Sequence, residues 1–144
     1  MADFRYFTLK ELCSSEVATQ KKIDNFPSWA ITEHLAELTE KILEPLRVAW
    51  GGPIKVTSGY RCDALNKAVG GVYNSVHRLG YAADLQPGNG KIDEFIKFTQ
   101  EFLAKKGIAY DQLIDERSGK VRWLHIGIRS CTGSQRRQNL NIKK

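Results

Sequence analysis

Only three histidines occur in the 144 residues, and one of them, His77, stands seven residues before Asp84 in the stretch SVHRLGYAADL, Ser75 to Leu85. Glycine and small residues there disfavour a helix. The segment reads as a turn at His77 followed by a strand, YAADL, that presents Asp84 inward, with Gly80, Ala82 and Ala83 leaving room for close backbone approach. An imidazole and a carboxylate so placed suit a divalent cation. Catalytic zinc takes three protein ligands and leaves a position for a water whose pKa falls to about 7. His125, in the β-rich run WLHIGI, can supply the third. His77, Asp84 and His125 would then hold one Zn2+ per chain. The same spacing is also met by a loop histidine beside a turn aspartate, and His125 alone by a half-buried, hydrogen-bonded histidine.

A hydrolytic metal site needs a base near the attacking water. The segments DQLIDE and VRWLHIGI flank RSGK, which predicts an antiparallel hairpin turning at Ser118 and Gly119. With that turn, opposed residues sum to an odd number. Gln112, Ile114 and Glu116 therefore share a face with Val121, Trp123 and His125, while Asp115 faces the other way, toward Arg122 or solvent. Glu116 is thus the carboxylate within reach of His125, and Gln112 shares its face as a candidate contact to ligand or substrate.

The elements that must carry these residues are legible in outline. Ile31, Leu35, Leu38, Ile42 and Leu46 recur at helical spacing from Ala30 to about Ala49, with Pro45 as a kink or break. His34 on that helix reads as a surface or packing residue. Ile54 to Thr57 forms a short strand that delivers Tyr60 and Arg61 to a loop. KIDEFIKFTQEFLAKKG is a second amphipathic helix stopped by Gly107, with Lys105 and Lys106 where the helix dipole favours cations. Helices early, strands late and a helix between strands predict an α+β domain with a small antiparallel sheet and packed helices.

Composition bounds the rest. The length suits one domain over residues 1–144, with a basic tail from about 130 whose RRQNLNIKK reads as a solvated, frayed end or an attraction to an anionic surface. No apolar run approaches the ~20 residues of a membrane span, so no membrane insertion is expected. Cys13, Cys62 and Cys131 are odd in number and far apart, which disfavours a disulfide framework or thiolate zinc. The first twenty residues lack an apolar core flanked by basic residues, predicting synthesis in the cytoplasm without a signal peptide. The net charge of +6 permits a polyanionic partner, but the basic residues are scattered and no nucleic acid is expected.

The ordered set FTLKEL, NFPSWAITEHLAELTEKILEPLR, VTSGYRCDALNKAVGG, SVHRLGYAADL, YDQLIDE and WLHIGI, spanning about Phe7 to Ile128, resembles the M15 metallopeptidases of the D-alanyl-D-alanine carboxypeptidase C-terminal type. The resemblance implies the hedgehog/DD-peptidase fold, with zinc in a cleft on a small antiparallel sheet. It matches His77 and Asp84 to the ligands of SxHxxGxAxD, His125 to the histidine of the final strand, and Glu116 to the acid of QLIxE as catalytic base. It further implies that Arg61 receives a substrate carboxylate or nearby polar group, and that Ser75 is a hydrogen-bond donor to substrate. Asn66 and the Gly70-Gly71 pair match LNxxxGG and read as loop-shaping; Tyr60, Tyr81 and Trp123 are candidates for groove or core.

One departure stands out. Several M15 members carry their acid three residues before the last histidine, where this chain has Arg122. Either Glu116 supplies the base from the other arm of the hairpin, or the domain keeps zinc as a non-catalytic binding module. The resemblance implies a monomeric peptidase acting on the peptidoglycan stem peptide, as a carboxypeptidase or an endopeptidase. With no leader expected, it would reach the cell wall after release or non-standard export, as a phage or prophage endolysin does.

Overall fold

The computed structural model describes residues 3–144. Helix α3 (Trp29–Leu38) starts where the Ser28 hydroxyl accepts the Ile31 amide at 3.3 Å. The single helix expected from Ala30 to Ala49 is instead three segments: α3, a π-helical turn over Thr39–Leu43, and α4 (Glu44–Trp50). Pro45 explains the change. It has no N–H to offer the carbonyl four residues back, so the chain widens by one residue and the Glu44 amide bonds Thr39 instead. Leu35, Leu38, Ile42 and Leu46 still share one buried stripe through the wider turn.

Two short helices, α1 (Leu9–Cys13) and α2 (Glu16–Gln20), precede α3, each capped by a hydroxyl from Thr8 or Ser15. After α4 come β1 (Ile54–Ser58), α5 (Asp63–Ala68), a 3-10 turn over Val76–Leu79 and β2 (Ala82–Pro87). Then follow α6 (Ile92–Lys106), β3 (Gln112–Ser118), β4 (Val121–Gly127) and β5 (Gln138–Lys143). The domain is α+β, as expected.

The sheet runs in the order β1-β2-β4-β3-β5. Its register pairs Asp84 with His125 and His125 with Ile114, while Glu116 faces Trp123. Strand alternation therefore gives the sheet two chemically distinct faces. Ala83, Leu85, Leu113, Leu124 and Ile126 enter one core with Leu35, Leu38, Phe95 and Leu103 of the helices. Asp84, Gln112, Ile114, Glu116 and His125 line the other face.

Two expectations need correction. The first four strands pair antiparallel, but β5 lies parallel to β3, so the sheet is mixed. The basic tail is not frayed; residues 138–143 are its fifth strand. Buried Asp111 explains the ordering: it accepts the Arg136 amide at 3.0 Å and the guanidinium at 2.8 and 2.9 Å, fixing the point where the chain returns to the sheet. The Asp111 carbonyl then takes the Gln138 amide at 2.8 Å. A parallel pair announces itself by no turn sequence, which is why the pattern was silent here.

Gly80 closes the 3-10 turn with φ of 73°, and a Cβ there would lie 2.9 Å from the Ile31 carbonyl oxygen. Substitution combines a left-handed backbone with a clash against α3. Gly80→Ala is expected to lower unfolding free energy by about 2 kcal/mol or more, measured by urea denaturation, and a variant as stable as the parent would contradict this account.

Candidate metal centre

His77, Asp84 and His125 arrive from the 3-10 turn, β2 and β4, and their candidate ligand atoms all lie within 4.8 Å of one another. Asp84 Oδ1 sits 3.2 Å from His77 Nε2 and 3.0 Å from His125 Nδ1. The two rings stand edge to face with centroids 5.1 Å apart. All three side chains are buried at the floor of a cleft of about 850 Å3.

Backbone contacts orient the first imidazole. His77 Nδ1 lies 2.8 Å from the Gly59 carbonyl, which can only accept, so this nitrogen carries the proton. In the neutral ring, the Nε2 lone pair then points at the Asp84 carboxylate. Burial pushes His77 toward that neutral form, against the pull of Asp84. For Asp84, burial favours protonation, while a protonated His77 and the hydrogen bond from His125 would hold the carboxyl far below its usual range; with His77 neutral, that support is missing. Two acceptors facing each other in a buried site call for a cation between them. The mixed imidazole and carboxylate donors, with a carbonyl fixing one ring, fit zinc.

The loop before α5 is built to make that contact. The chain crosses the end of α1 at Gly59, where a Cβ would sit 2.1 Å from the Leu12 carbonyl oxygen, and the Tyr60 amide donates to that same oxygen at 2.8 Å. The Arg61 amide donates to the His77 carbonyl at 3.1 Å, lacing the SGYR loop to the 3-10 turn. Asn25 holds the loop from outside by donating to the Tyr60 carbonyl at 2.9 Å and accepting the Cys62 amide at 2.8 Å. Gly59 and Asn25 were not singled out from sequence: one contributes a carbonyl that every residue has, and the other acts from a distant segment.

Glu116 projects from β3 toward the same floor, with Oε1 4.0 Å from His125 Nδ1 and Oε2 3.1 Å from Lys144 Nζ. Arg61 also lines the cleft, where its Nη2 donates to Ser75 Oγ at 3.2 Å; burial lowers its pKa, countered by Asp84 and Glu116. Ser75 Oγ also accepts the His77 amide at 3.3 Å, so it is engaged with the protein as well as bordering the cleft. Gln112 lines the cleft and donates to the Gln138 side chain at 3.0 Å.

Both M15 hallmarks, the SxHxxGxAxD segment and the QLIxE strand, are thus brought to one cleft, and the Peptidase M15 family model matches residues 5–118. The chain belongs to the M15 peptidase family. No curated protein matches the sequence. The family match contains His77, Asp84 and Glu116 but stops before His125, whose inclusion in the cluster comes from the β2/β4 register.

The remaining candidates sort by geometry. Trp123 lines the cleft, whereas Tyr60 and Tyr81 pack on the core, Tyr81 stacked on His34 with centroids 4.3 Å apart. His34 Nδ1 lies 2.6 Å from the Leu79 carbonyl, the packing role expected of it. Asn66 donates to the Val72 carbonyl at 2.8 Å, and a Cβ on Gly71 would overlap the Asn66 amide, so this M15 loop is shaped as the motif suggested. Arg122 is turned to the far face in a two-pronged pair with Asp115 at 2.8 Å and a further contact to Asp93. A second, more apolar groove between α1, α2 and residues 23–27 lies apart from these groups. Among the described residues no helix is long and apolar enough to cross a membrane.

Zinc titration by calorimetry is expected to give one equivalent per chain, with His77→Ala and His125→Ala each weakening binding on the order of 100-fold. Because protons compete for the imidazoles, affinity should weaken as pH falls. The depressed His77 pKa places its share of that loss below the ordinary histidine range near 6.5. Affinity that rises on acidification would exclude these ligands.

Proposed function

We propose that the protein is a zinc metallopeptidase that hydrolyses an amide bond in the peptidoglycan stem peptide. The observation that carries this reading is the placement of Glu116 beside a buried His77–Asp84–His125 cluster in an M15 family member. Zinc held by those residues would supply Lewis acidity toward the scissile carbonyl and make water a competent nucleophile near neutral pH. Every other part of the reaction falls to the chain's own groups.

Glu116 Oε1, on the cleft side of its carboxylate, takes a proton from the attacking water and delivers it to the leaving amine nitrogen. Arg61, in the same cleft, orients a substrate carboxylate through charge-assisted hydrogen bonds. Ser75 fixes that guanidinium and offers its hydroxyl at the edge of the cleft, and Gln112 adds a polar contact beyond Ile114. Gly59 keeps the His77 ring in the tautomer that turns Nε2 inward. A stem peptide, rich in carboxylates and amides, meets complementary groups along this cleft.

Arg122 in place of the more usual acid does not argue for a non-catalytic module, because the register brings Glu116 to the cleft from the neighbouring strand. Removal of a terminal D-alanine and an endolysin-like cut inside the stem or cross-bridge are the two candidate reactions, and the basic net charge suits an anionic wall. A phage or prophage lysis enzyme is the corresponding biological setting.

Mass spectrometry of muropeptides after incubation with purified protein, with and without a chelator, is expected to show a metal-dependent product whose mass identifies the bond. Glu116→Gln should retain one equivalent of zinc while turnover falls by about 10²–10⁴-fold. Intact muropeptides with the zinc-loaded parent would instead support a binding module.

A further inference from the structure

We infer that Lys144, carried to the cleft by the parallel strand β5, is a positioning residue for the Glu116 carboxylate. The inference rests on the reading of Glu116 as the base, and extends it to a segment beyond the residues the family model matches. β5 runs in unbroken register along β3, pairing Gln138 with Gln112 through to Lys143 with Arg117. The Lys144 amide continues the ladder by donating to the Arg117 carbonyl at 2.7 Å. That last bond fixes where the Lys144 side chain departs, and its Nζ reaches Glu116 Oε2 at 3.1 Å across the Trp123 ring, 5.9 Å from the ring centroid.

Glu116 has a particular need for such a partner. Its side chain is only 9% exposed, and among the described residues Lys144 Nζ meets Oε2 while His125 Nδ1 stands 4.0 Å from Oε1. Without a cation on Oε2, the carboxylate would be free to rotate away from the floor or to accept water from the outer side. Lys144 occupies that side and leaves Oε1 as the oxygen directed at His125. Its own side chain is 56% exposed, so the ammonium spans from solvent to the buried carboxylate. A strand of otherwise exposed residues thereby becomes part of the cleft wall, together with Ile142.

The test combines turnover with a thermal cycle. Lys144→Met should lower kcat about tenfold with KM nearly unchanged, and Lys144→Arg should restore most of the loss. Lys143→Met on the same strand serves as the control and should match the parent. Independently of turnover, Lys144→Met should lower Tm by about 2 °C, a drop that disappears when Glu116 is already Gln. Wild-type kcat in Lys144→Met while Glu116→Gln is inactive would overturn the positioning role and leave the base assignment standing. An active Glu116→Gln would instead remove the reading beneath it. Should no substrate be turned over, an equal Tm drop in both backgrounds would overturn the pairing itself.

Discussion

A single carboxylate oxygen organises the cleft. Asp84 Oδ1 lies within 3.2 Å of one ring nitrogen from each of two histidines, in a place largely closed to water. Burying an ionised group is costly unless its charge is answered nearby. The neutral His77 ring does not answer it, because the Gly59 carbonyl commits that ring to the tautomer whose lone pair faces the carboxylate. A bound cation would resolve that opposition, and the surrounding loops are arranged around it: the SGYR turn crosses α1 at Gly59, and Gly80 lets β2 begin beneath α3.

The sheet separates two tasks by strand parity. One face is apolar and joins the helices; the other is polar and faces the cleft. Charged residues that would interfere are retained at the far side, as Arg122 shows in its grip on Asp115 and Asp93. Asp115 and Glu116 are neighbours in sequence with opposite fates, one held below the usual carboxylate range chiefly by its hydrogen bond from Arg122 and the other exposed to the cleft chemistry. A slip of one residue in the hairpin would exchange them.

Much of this was legible in the sequence because its signals are local. The α6 helix had periodic apolar residues, lysines in the last turn and a terminal glycine. The hairpin had a glycine turn, and counting from it correctly put Glu116 on the His125 side and Asp115 on the Arg122 side. Signals that depend on distant backbone were invisible. The π-helical turn follows from Pro45, yet proline alone indicates a disruption without saying which form it takes. β5 depends on a ladder with β3 and on the Asp111–Arg136 clamp, neither of which leaves a periodic mark in a polar tail. Convergence of His77, Asp84 and His125 could be suggested from residue type and family pattern, but the tautomer of His77 required knowing where Gly59 lies.

The pairing of β2 with β4 also bears on when the chain acquires its reactive centre. His77 and Asp84 are synthesised well before His125, and the carbonyl that sets the His77 ring comes from an earlier loop. A growing polypeptide that has not yet delivered β4 lacks one of the three donors, and closing the intervening loop carries an entropic penalty that only the finished sheet repays. Capture of an ion by all three donors would therefore require β4 to be paired with β2. A peptidase laid out in this order would lack part of its donor set for as long as β4 remains unpaired.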